Sequence, residues 1–294
     1  MKCSIFVLLS LNRLFPAVVH PFNLQTKGEM SYAEWQFQKG EDTIRYFLPF
    51  HSPDRLFRDK TVLDIGCGAG GKTIYYASLG VRQIIGLEIL DKYKEEAEQI
   101  AKKYHQENVF SYHTGDAAKM SFESNTFDTI IMNDAMEHVA NPEAVLMECY
   151  RVLKPGGHLY INFPPYYHPY GAHLSDAIFI PWVHAFFSES TLVSAYQFLL
   201  RNHPDYHERV SFRFSQDDKG KSHLTYINRM TIRRFLTILP TVPLQVVYYD
   251  EDPLRKILSA FRKLPFCREW LTKMVVCILQ KPTTVRAQST ISSP

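Results

Sequence analysis

From residue 61 to residue 163, short apolar runs rich in β-branched residues alternate with longer amphipathic segments. Apolar runs bounded by turn residues predict buried strands, and a 3.6-residue period predicts helices. The predicted strands are 61–65, 83–88, 108–112, 127–133 and 157–163, and the helices between them are 71–79, 91–105 and 141–153. Strands and helices that alternate through short loops predict an α/β fold with a parallel sheet covered on both faces.

The flanking regions follow different patterns. Residues 31–58 predict a helical segment, and further helices are expected at 189–201 and 229–238. Strands are expected at 244–250 and 273–280, with an amphipathic basic helix at 253–263 between them. The predicted organisation is an apolar, helical N-terminal segment (1–57), a core (58–165), a lid insertion (166–243), closing strands with the basic helix (244–280) and a disordered tail (281–294).

Composition narrows the functional classes. The 294 residues carry 33 basic and 30 acidic side chains, a net charge of +3. This balance argues neither for nor against nucleic acid, but dedicated binders usually show a stronger basic excess, so we expect nucleic acid to be an unlikely partner. The five cysteines are scattered, odd in number and form no C-x-x-C pair. We therefore expect neither a disulfide framework nor a zinc site, and we predict a cytoplasmic protein.

The first twenty residues allow two interpretations. Lys2 and the apolar run from Cys3 to Leu11 resemble a short signal peptide, but Asn12 and Arg13 interrupt the run. A packed or membrane-touching segment is favoured, with Met30 as an alternative start. No run is long enough to span a bilayer.

A glycine-rich turn follows the first predicted strand, with the sequence Asp64-Ile65-Gly66-Cys67-Gly68-Ala69-Gly70-Gly71. Glycines let the backbone turn sharply and approach a ligand closely, and the N–H groups of the following helix face that ligand. Gly66, Gly68 and Gly71 also satisfy the G-x-G-x-x-G spacing of a dinucleotide site. A dehydrogenase, or a turn without a ligand, therefore remains open on this motif alone.

Further landmarks follow in order along the chain. Glu88 ends the second strand, where an acid can accept hydrogen bonds from ribose hydroxyls. Gly115-Asp116-Ala117 follows the third strand, the segment from Asn133 to His138 follows the fourth, and Lys154-Pro155-Gly156-Gly157 leads into the fifth. Over residues 58–165 this series resembles the class I S-adenosylmethionine-dependent methyltransferases, in particular the small-molecule branch that includes the quinone-biosynthesis enzymes.

The resemblance implies a doubly wound, mostly parallel seven-stranded sheet with an antiparallel C-terminal hairpin and a helical lid. It implies S-adenosylmethionine as cofactor, with Gly66, Cys67 and Gly68 under its amino-acid part and Glu88 at its ribose. By the same resemblance, Asp64 orients the loop or the ammonium group of the cofactor, Asp116 and Ala117 border the adenine, and Asn133 lies near the centre of the cofactor.

Methyl transfer from a sulfonium is an in-line displacement that depends mainly on alignment. A base is needed only where the acceptor must lose a proton, and histidine suits that task near neutral pH. The candidate catalytic residues are His138, His168 and His173, each with a structural role as the alternative. We predict no metal site, although the adjacent Glu137 and His138 leave a divalent ion open.

The expected partner is a small lipophilic acceptor. The apolar segment 178–183 with Phe186 and Phe187 either lines its pocket or forms the core of the lid. The basic helix, with Arg255, Lys256, Arg262 and Lys263, either touches a membrane peripherally or covers the sheet.

Two competing functions remain. One is methylation of protein or nucleic acid, although the string from Asn162 to Tyr166 carries an extra Phe and lies one strand too late for the Asn/Asp-Pro-Pro-aromatic tetrad of amino-group methylation. The other is a binding module without turnover.

Overall fold

The computed structural model describes residues 3–257 and 264–283. Nine strands lie in these ranges: β1 (Thr61–Ile65), β2 (Gln83–Glu88), β3 (Phe110–Thr114), β4 (Phe127–Asn133), β5 (Leu153–Phe163), β6 (Phe214–Gln216), β7 (Ser222–Leu224), β8 (Gln245–Pro253) and β9 (Thr272–Gln280). Seven of them form one sheet in the order β3-β2-β1-β4-β5-β9-β8, and β6 pairs with β7 in a separate hairpin.

The large sheet is parallel except for β9, which is antiparallel to both β5 and β8. This confirms the predicted doubly wound sheet with an antiparallel C-terminal hairpin. The strand order reverses between β1 and β4, so a crevice opens at their carboxyl ends, where ligands of such sheets bind. The bounds of four strands differ from the prediction. Strand β3 is shifted to Phe110–Thr114, β5 already starts at Leu153, β8 extends from Gln245 to Pro253, and β9 starts at Thr272.

Helices cover both faces of the sheet and build the lid. They are α1 (Cys3–Asn12), α2 (Pro21–Thr26), α3 (Tyr32–Gln38), α4 (Gly40–Ile44), α5 (Pro53–Phe57), α6 (Gly71–Ala77), α7 (Lys94–Lys103), α8 (Pro142–Val152), α9 (Val183–Phe186), α10 (Glu189–Leu200), α11 (Tyr206–Arg213), α12 (Ile232–Ile238) and α13 (Pro265–Leu271). Apolar residues of α3 to α7 pack on one face, and those of α8 and α12 pack on the other.

The region predicted to be helical over residues 31–58 is divided into three short helices, α3, α4 and α5. Ser31 caps the start of α3 and Ser52 caps the start of α5, where Pro53 occupies the first helical position. A proline there pre-sets the backbone of a new helix but cannot continue an old one. The short helices bend around the sheet and bring α3 over the glycine-rich turn.

A third apolar core joins the N-terminal helix to the segment after β5. Leu8 and Leu9 of α1 pack among buried residues of this segment, including Ile178 and Val183. Asn12 fastens the contact, since its amide donates to the carbonyl of Ala177 at 2.9 Å. Of the two roles predicted for segment 178–183, the structure therefore supports the lid core, and neighbouring Phe186 is 72% exposed.

The predicted basic helix at 253–263 is wrong at its start. Strand β8 continues to Pro253 because it stays paired with β9 there, and no α-helix follows within the described residues up to Ile257. Arg262 and Lys263 lie outside the described residues, as does the tail from residue 284. No helix in the described ranges combines the length and the apolar character needed to cross a membrane.

Candidate functional site

The glycine-rich turn after β1 has little space for side chains. Gly66 has φ +74°, and a Cβ there would lie 2.8 Å from the Cβ of Ala135. The N–H of Gly66 donates to the carbonyl of Leu87 at 2.8 Å, which ties the turn to β2. Gly68 has φ +55° and lies against Tyr32. Both positions require glycine, because the left-handed region strains other residues and a larger side chain would enter the crevice.

Gln36 of α3 holds the turn from above, a role that the sequence did not reveal. Its side-chain amide donates to the carbonyl of Cys67 at 3.4 Å and accepts from the N–H of Gly71 at 3.2 Å. Helix α3 lies so close that a Cβ on Gly71 would come within 1.9 Å of the carbonyl oxygen of Ala33. A single glutamine in a helix carries no recognisable signal, so only the packing of α3 identifies this contact.

Glu88 points from the end of β2 toward the turn. One carboxylate oxygen accepts from the N–H of Gly68 at 3.0 Å, and the other accepts from Ile89 at 3.0 Å and Leu90 at 3.2 Å. Burial raises the pKa of this carboxyl above its ordinary value. A half-buried acid at this strand end fits a ligand that offers hydroxyl donors.

Three of the predicted cofactor residues are buried and do not line the cavity described below. Asp64 is buried and accepts from the hydroxyl of Thr73 at 2.5 Å, which joins β1 to α6, and burial raises its pKa to about 6. The side chain of Cys67 is buried next to Gly86 of β2. Asn133 is also buried, and its side-chain nitrogen has no hydrogen-bond partner in the described part of the chain. These residues shape the turn from below.

Asp116 and Ala117 line the cavity after β3. One carboxylate oxygen of Asp116 accepts from the N–H of Ala118 at 2.8 Å, an Asx turn that fixes the loop. Asp116 is exposed, so its second carboxylate oxygen can still accept hydrogen bonds from a ligand.

One cavity of about 820 Å³ connects these elements to the lid. Five rings in successive contact line it, and we call them the aromatic wall. The ring centroids are 6.5, 6.0, 5.7 and 4.4 Å apart along the series. The wall consists of Trp35, Tyr32, Phe22, Phe212 and Tyr226. It runs from the glycine-rich turn to the histidines and gives the cavity an apolar side.

All three candidate histidines line the cavity, but only two of them meet. The rings of His138 and His173 contact each other edge to face at 4.8 Å, and His138 also contacts Tyr226 of the wall. His168 accepts from the N–H of Tyr170 and has no ring contact with either. Burial lowers the pKa of His138 and His168 to about 4 and that of His173 well below its ordinary value, so the three rings are neutral at pH 7.

Residues 63–161 match the family model described as a methyltransferase domain. The matched stretch holds the glycine-rich turn, Glu88 and the loop after β4, on the strand order described above. This stretch of the chain is therefore similar to methyltransferase domains. The match ends within β5, so the lid segment and the closing strands lie outside it.

Relatives of this methyltransferase domain include the sterol 24-C-methyltransferase of Candida albicans, which is 42% identical over 102 residues. The aligned part covers 35% of this chain and 27% of that protein, so the chain matches less than a third of that relative's length. Among solved structures, the [4+2]-cyclase SpnF superposes with a TM-score of 0.52 at 14% identity, covering 84% of this chain and 82% of its own.

A second solved structure is the geranyl diphosphate C-methyltransferase of Streptomyces coelicolor A3(2), determined with Mg²⁺, geranyl diphosphate and S-adenosyl-L-homocysteine. It superposes with a TM-score of 0.50 at 12% identity, covering 84% of this chain and 77% of its own. At such identities both structural neighbours establish the fold alone, which a methyltransferase and a cyclase share.

Asn162, the first residue of the string Asn162 to Tyr166, has a structural role at this site. Asn162 is fully buried at the end of β5, where its side-chain oxygen accepts from the N–H of Asp134 at 3.2 Å. Its amide donates to the carbonyl of Thr43 at 3.4 Å. These bonds hold the loop after β4 in place, so the side-chain amide of Asn162 is not directed at a methyl acceptor.

Proposed function

We propose that the chain transfers a methyl group from S-adenosylmethionine to a small lipophilic acceptor. The observation that carries the proposal is the single cavity, which joins the glycine-rich turn and Glu88 to the aromatic wall and the histidines. Its volume of about 820 Å³ is at the upper end of ordinary ligand pockets, so a nucleoside and an acceptor can lie side by side.

When bound, S-adenosylmethionine would supply an electrophilic methyl group, and in-line attack on its carbon would release S-adenosylhomocysteine as the leaving group. The space left by the absent side chains of Gly66 and Gly68 admits its amino-acid part, and Glu88 accepts from its ribose hydroxyls. Asp116 and Ala117 border the adenine. Tyr32 lies next to Gly68, where the face of its ring favours a nearby positive charge.

The acceptor half of the cavity is formed by the lid and the N-terminal segment. Phe22, Phe212 and Tyr226 present apolar faces there, with Tyr170 and Met274 on the same cavity. A relative whose name is sterol 24-C-methyltransferase supports a lipophilic acceptor, although the lid lies outside residues 63–161, which match the family model. Holding the two reactants in line can contribute several kcal/mol, roughly up to 7–11, to lowering the barrier.

The neutral histidines are candidate bases where the acceptor must lose a proton. His138 and His173 lie at the end of the aromatic wall, and His168 lies elsewhere on the cavity. Each is replaced by Ala in turn. A base is identified by a loss of turnover with unchanged affinity for S-adenosylhomocysteine, and unchanged turnover in all three variants rejects the idea.

We propose further that the protein works in the cytoplasm with peripheral contact to a lipid surface. Phe6, Leu14 and Val19, in and after α1, are 62%, 77% and 75% exposed. Val19 also lines the cavity, so the exposed apolar patch continues into the acceptor half. Exposed apolar side chains can enter the boundary between the headgroups and acyl chains of a bilayer, and binding strengthens with the apolar area that is buried.

One experiment distinguishes the proposed function from the two competing functions, methylation of protein or RNA and cofactor binding without methyl transfer. Methyl transfer from labelled S-adenosylmethionine is measured with a lipid extract, a protein extract and an RNA extract. Label in the lipid fraction supports the proposal, and label in protein or RNA instead supports the macromolecular alternative. Cofactor binding without label in any fraction favours a module without methyl transfer, an outcome consistent with a cyclase on the same fold.

A further inference from the structure

Glu137, in the loop after β4, is a buried acid whose carboxylate has no hydrogen-bond partner among the described residues. Its side chain is 4% exposed. Buried polar groups are almost always hydrogen-bonded, so an orphaned carboxylate indicates a ligand or a shared proton. None of the functions assigned above uses it.

Two imidazole nitrogens face this carboxylate. The Nε2 atoms of His138 and His173 lie 3.7 and 3.9 Å from Oε1 of Glu137, and one potential ligand atom from each of the three residues lies within 4.8 Å of the others. Among the described residues this is the one group of three or more such side chains close enough to hold a metal ion. The sequence did not reveal it, because His173 lies 35 positions beyond His138 and after the end of β5.

The tautomer of His138 is set by its other nitrogen. Nδ1 lies 2.8 Å from the carbonyl oxygen of Tyr226, and a carbonyl can only accept. Nδ1 therefore carries the hydrogen, and the Nε2 atom of the neutral ring directs its lone pair toward Glu137. A metal-binding histidine is usually oriented in this way, by donating its second N–H to a carbonyl or carboxylate.

His173 is held in place by the lid. Its backbone has φ +54°, an uncommon conformation for a residue other than glycine, and its carbonyl accepts from Nε of the buried Arg213 at 2.9 Å. Strained conformations of this kind cluster at functional sites, where the surroundings enforce them. The position of the third ring is thus part of the fold.

We propose that Glu137, His138 and His173 bind a divalent transition-metal ion. Two imidazoles and one carboxylate suit zinc, iron, cobalt or manganese better than magnesium or calcium, which prefer oxygen ligands. Bonds of roughly 2.0–2.2 Å bring adjacent donor atoms to roughly 3.0–3.4 Å from each other, so the side chains move by less than about 1 Å to coordinate an ion.

The remaining coordination positions face the acceptor half, because both histidines line the cavity. An oxygen atom of the acceptor can occupy one of them, which lowers the pKa of a hydroxyl without a side-chain base. This use rests on the proposed function. In that case His138 and His173 are ligands, and His168 remains the candidate base.

The test uses the full chain, treated with a chelator that is then removed. Co²⁺ binding is followed by its visible absorption and Zn²⁺ binding by calorimetry. We expect one equivalent to bind, and at least tenfold weaker binding in Glu137→Gln and in His173→Ala. His168→Ala is the matched control, since His168 lines the same cavity outside the cluster, and it keeps wild-type affinity for the metal.

Affinity for S-adenosylhomocysteine is measured on every variant as a check of folding. If Glu137→Gln does not fold, His173→Ala on the lid decides the question. Absence of saturable metal binding in a chain that binds S-adenosylhomocysteine overturns the proposal and assigns the cluster to a shared proton. Metal binding without any affinity for S-adenosylhomocysteine leaves the metal site standing and instead removes the proposed function.

Discussion

The role assigned to Glu88 can be tested by a nearly isosteric change, Glu88→Gln. The carboxylate offers about four acceptor positions, and the N–H groups of Gly68, Ile89 and Leu90 occupy three of them. An amide has one oxygen with two positions, and its NH₂ group cannot accept. The variant must therefore give up hydrogen bonds to the turn, to the ribose hydroxyls, or to both.

The expected loss follows from the charge of the acceptor. A hydrogen bond to an ionised group contributes about 1.5–3 kcal/mol, and about 1.4 kcal/mol corresponds to a tenfold change in affinity. We expect the Kd for S-adenosylhomocysteine to rise about 10- to 150-fold. Calorimetry at pH 7.5 measures it directly, and the thermal unfolding temperature shows that the variant is folded.

The pH dependence adds a second readout. Burial raises the pKa of Glu88, so in the wild type the ionised acceptor is lost as the pH falls through a value above the ordinary one for glutamate. The affinity of the wild type should fall over that range, and that of Glu88→Gln should lack this component. Glu98→Gln, on the exposed side of α7, is the control and should change neither quantity. A Kd for Glu88→Gln within twofold of the wild type would refute the reasoning.

Three further predictions concern the lid, pH and membranes. The carboxylate of Asp176 is fully buried between the guanidinium groups of Arg213 at 3.1 Å and Arg209 at 3.3 Å. Asp176→Ala should therefore lower the free energy of unfolding by about 3–5 kcal/mol, measured by urea titration. The control Asp54→Ala, at the exposed pair with Arg58, should lower it by at most about 1 kcal/mol. The pKa of His20, His158 and His184 is lowered to about 4 by burial, so their contribution to stability is complete above pH 6.5 and is lost as the pH falls toward 4. We expect this loss to outweigh the opposite effect of Asp64, Glu88 and Glu137, whose pKa burial raises, and an unfolding temperature that stays constant or rises on acidification would contradict it. Leu14→Asp should weaken binding of the protein to anionic liposomes, measured by flotation. The control Met147→Asp changes an exposed apolar residue on α8 and should not weaken it. Equal binding of both variants would argue against membrane contact through the exposed apolar patch.

Local patterns were sufficient for the central sheet. Strands β1, β2 and β4 lie where they were predicted, since each is a short apolar run closed by turn residues. The glycines of the turn and Glu88 could be placed relative to each other because parallel strands end at one edge of a sheet. The predicted basic helix was wrong at its start, because pairing with β9 kept the chain around residue 253 in a strand.

What the sequence determined by itself was therefore the α/β core, the glycine-rich turn and the acid beside it, since these depend on residues close along the chain and on strand periodicity. Only the tertiary structure decided that Gln36 covers the turn, that α1 joins the lid, and that His173 meets Glu137 and His138. These contacts join segments between 31 and about 190 positions apart, and no local pattern encodes which distant side chains a packed lid brings together. The physical reason is that backbone periodicity is set by neighbours in sequence, whereas a site is set by how complete elements pack.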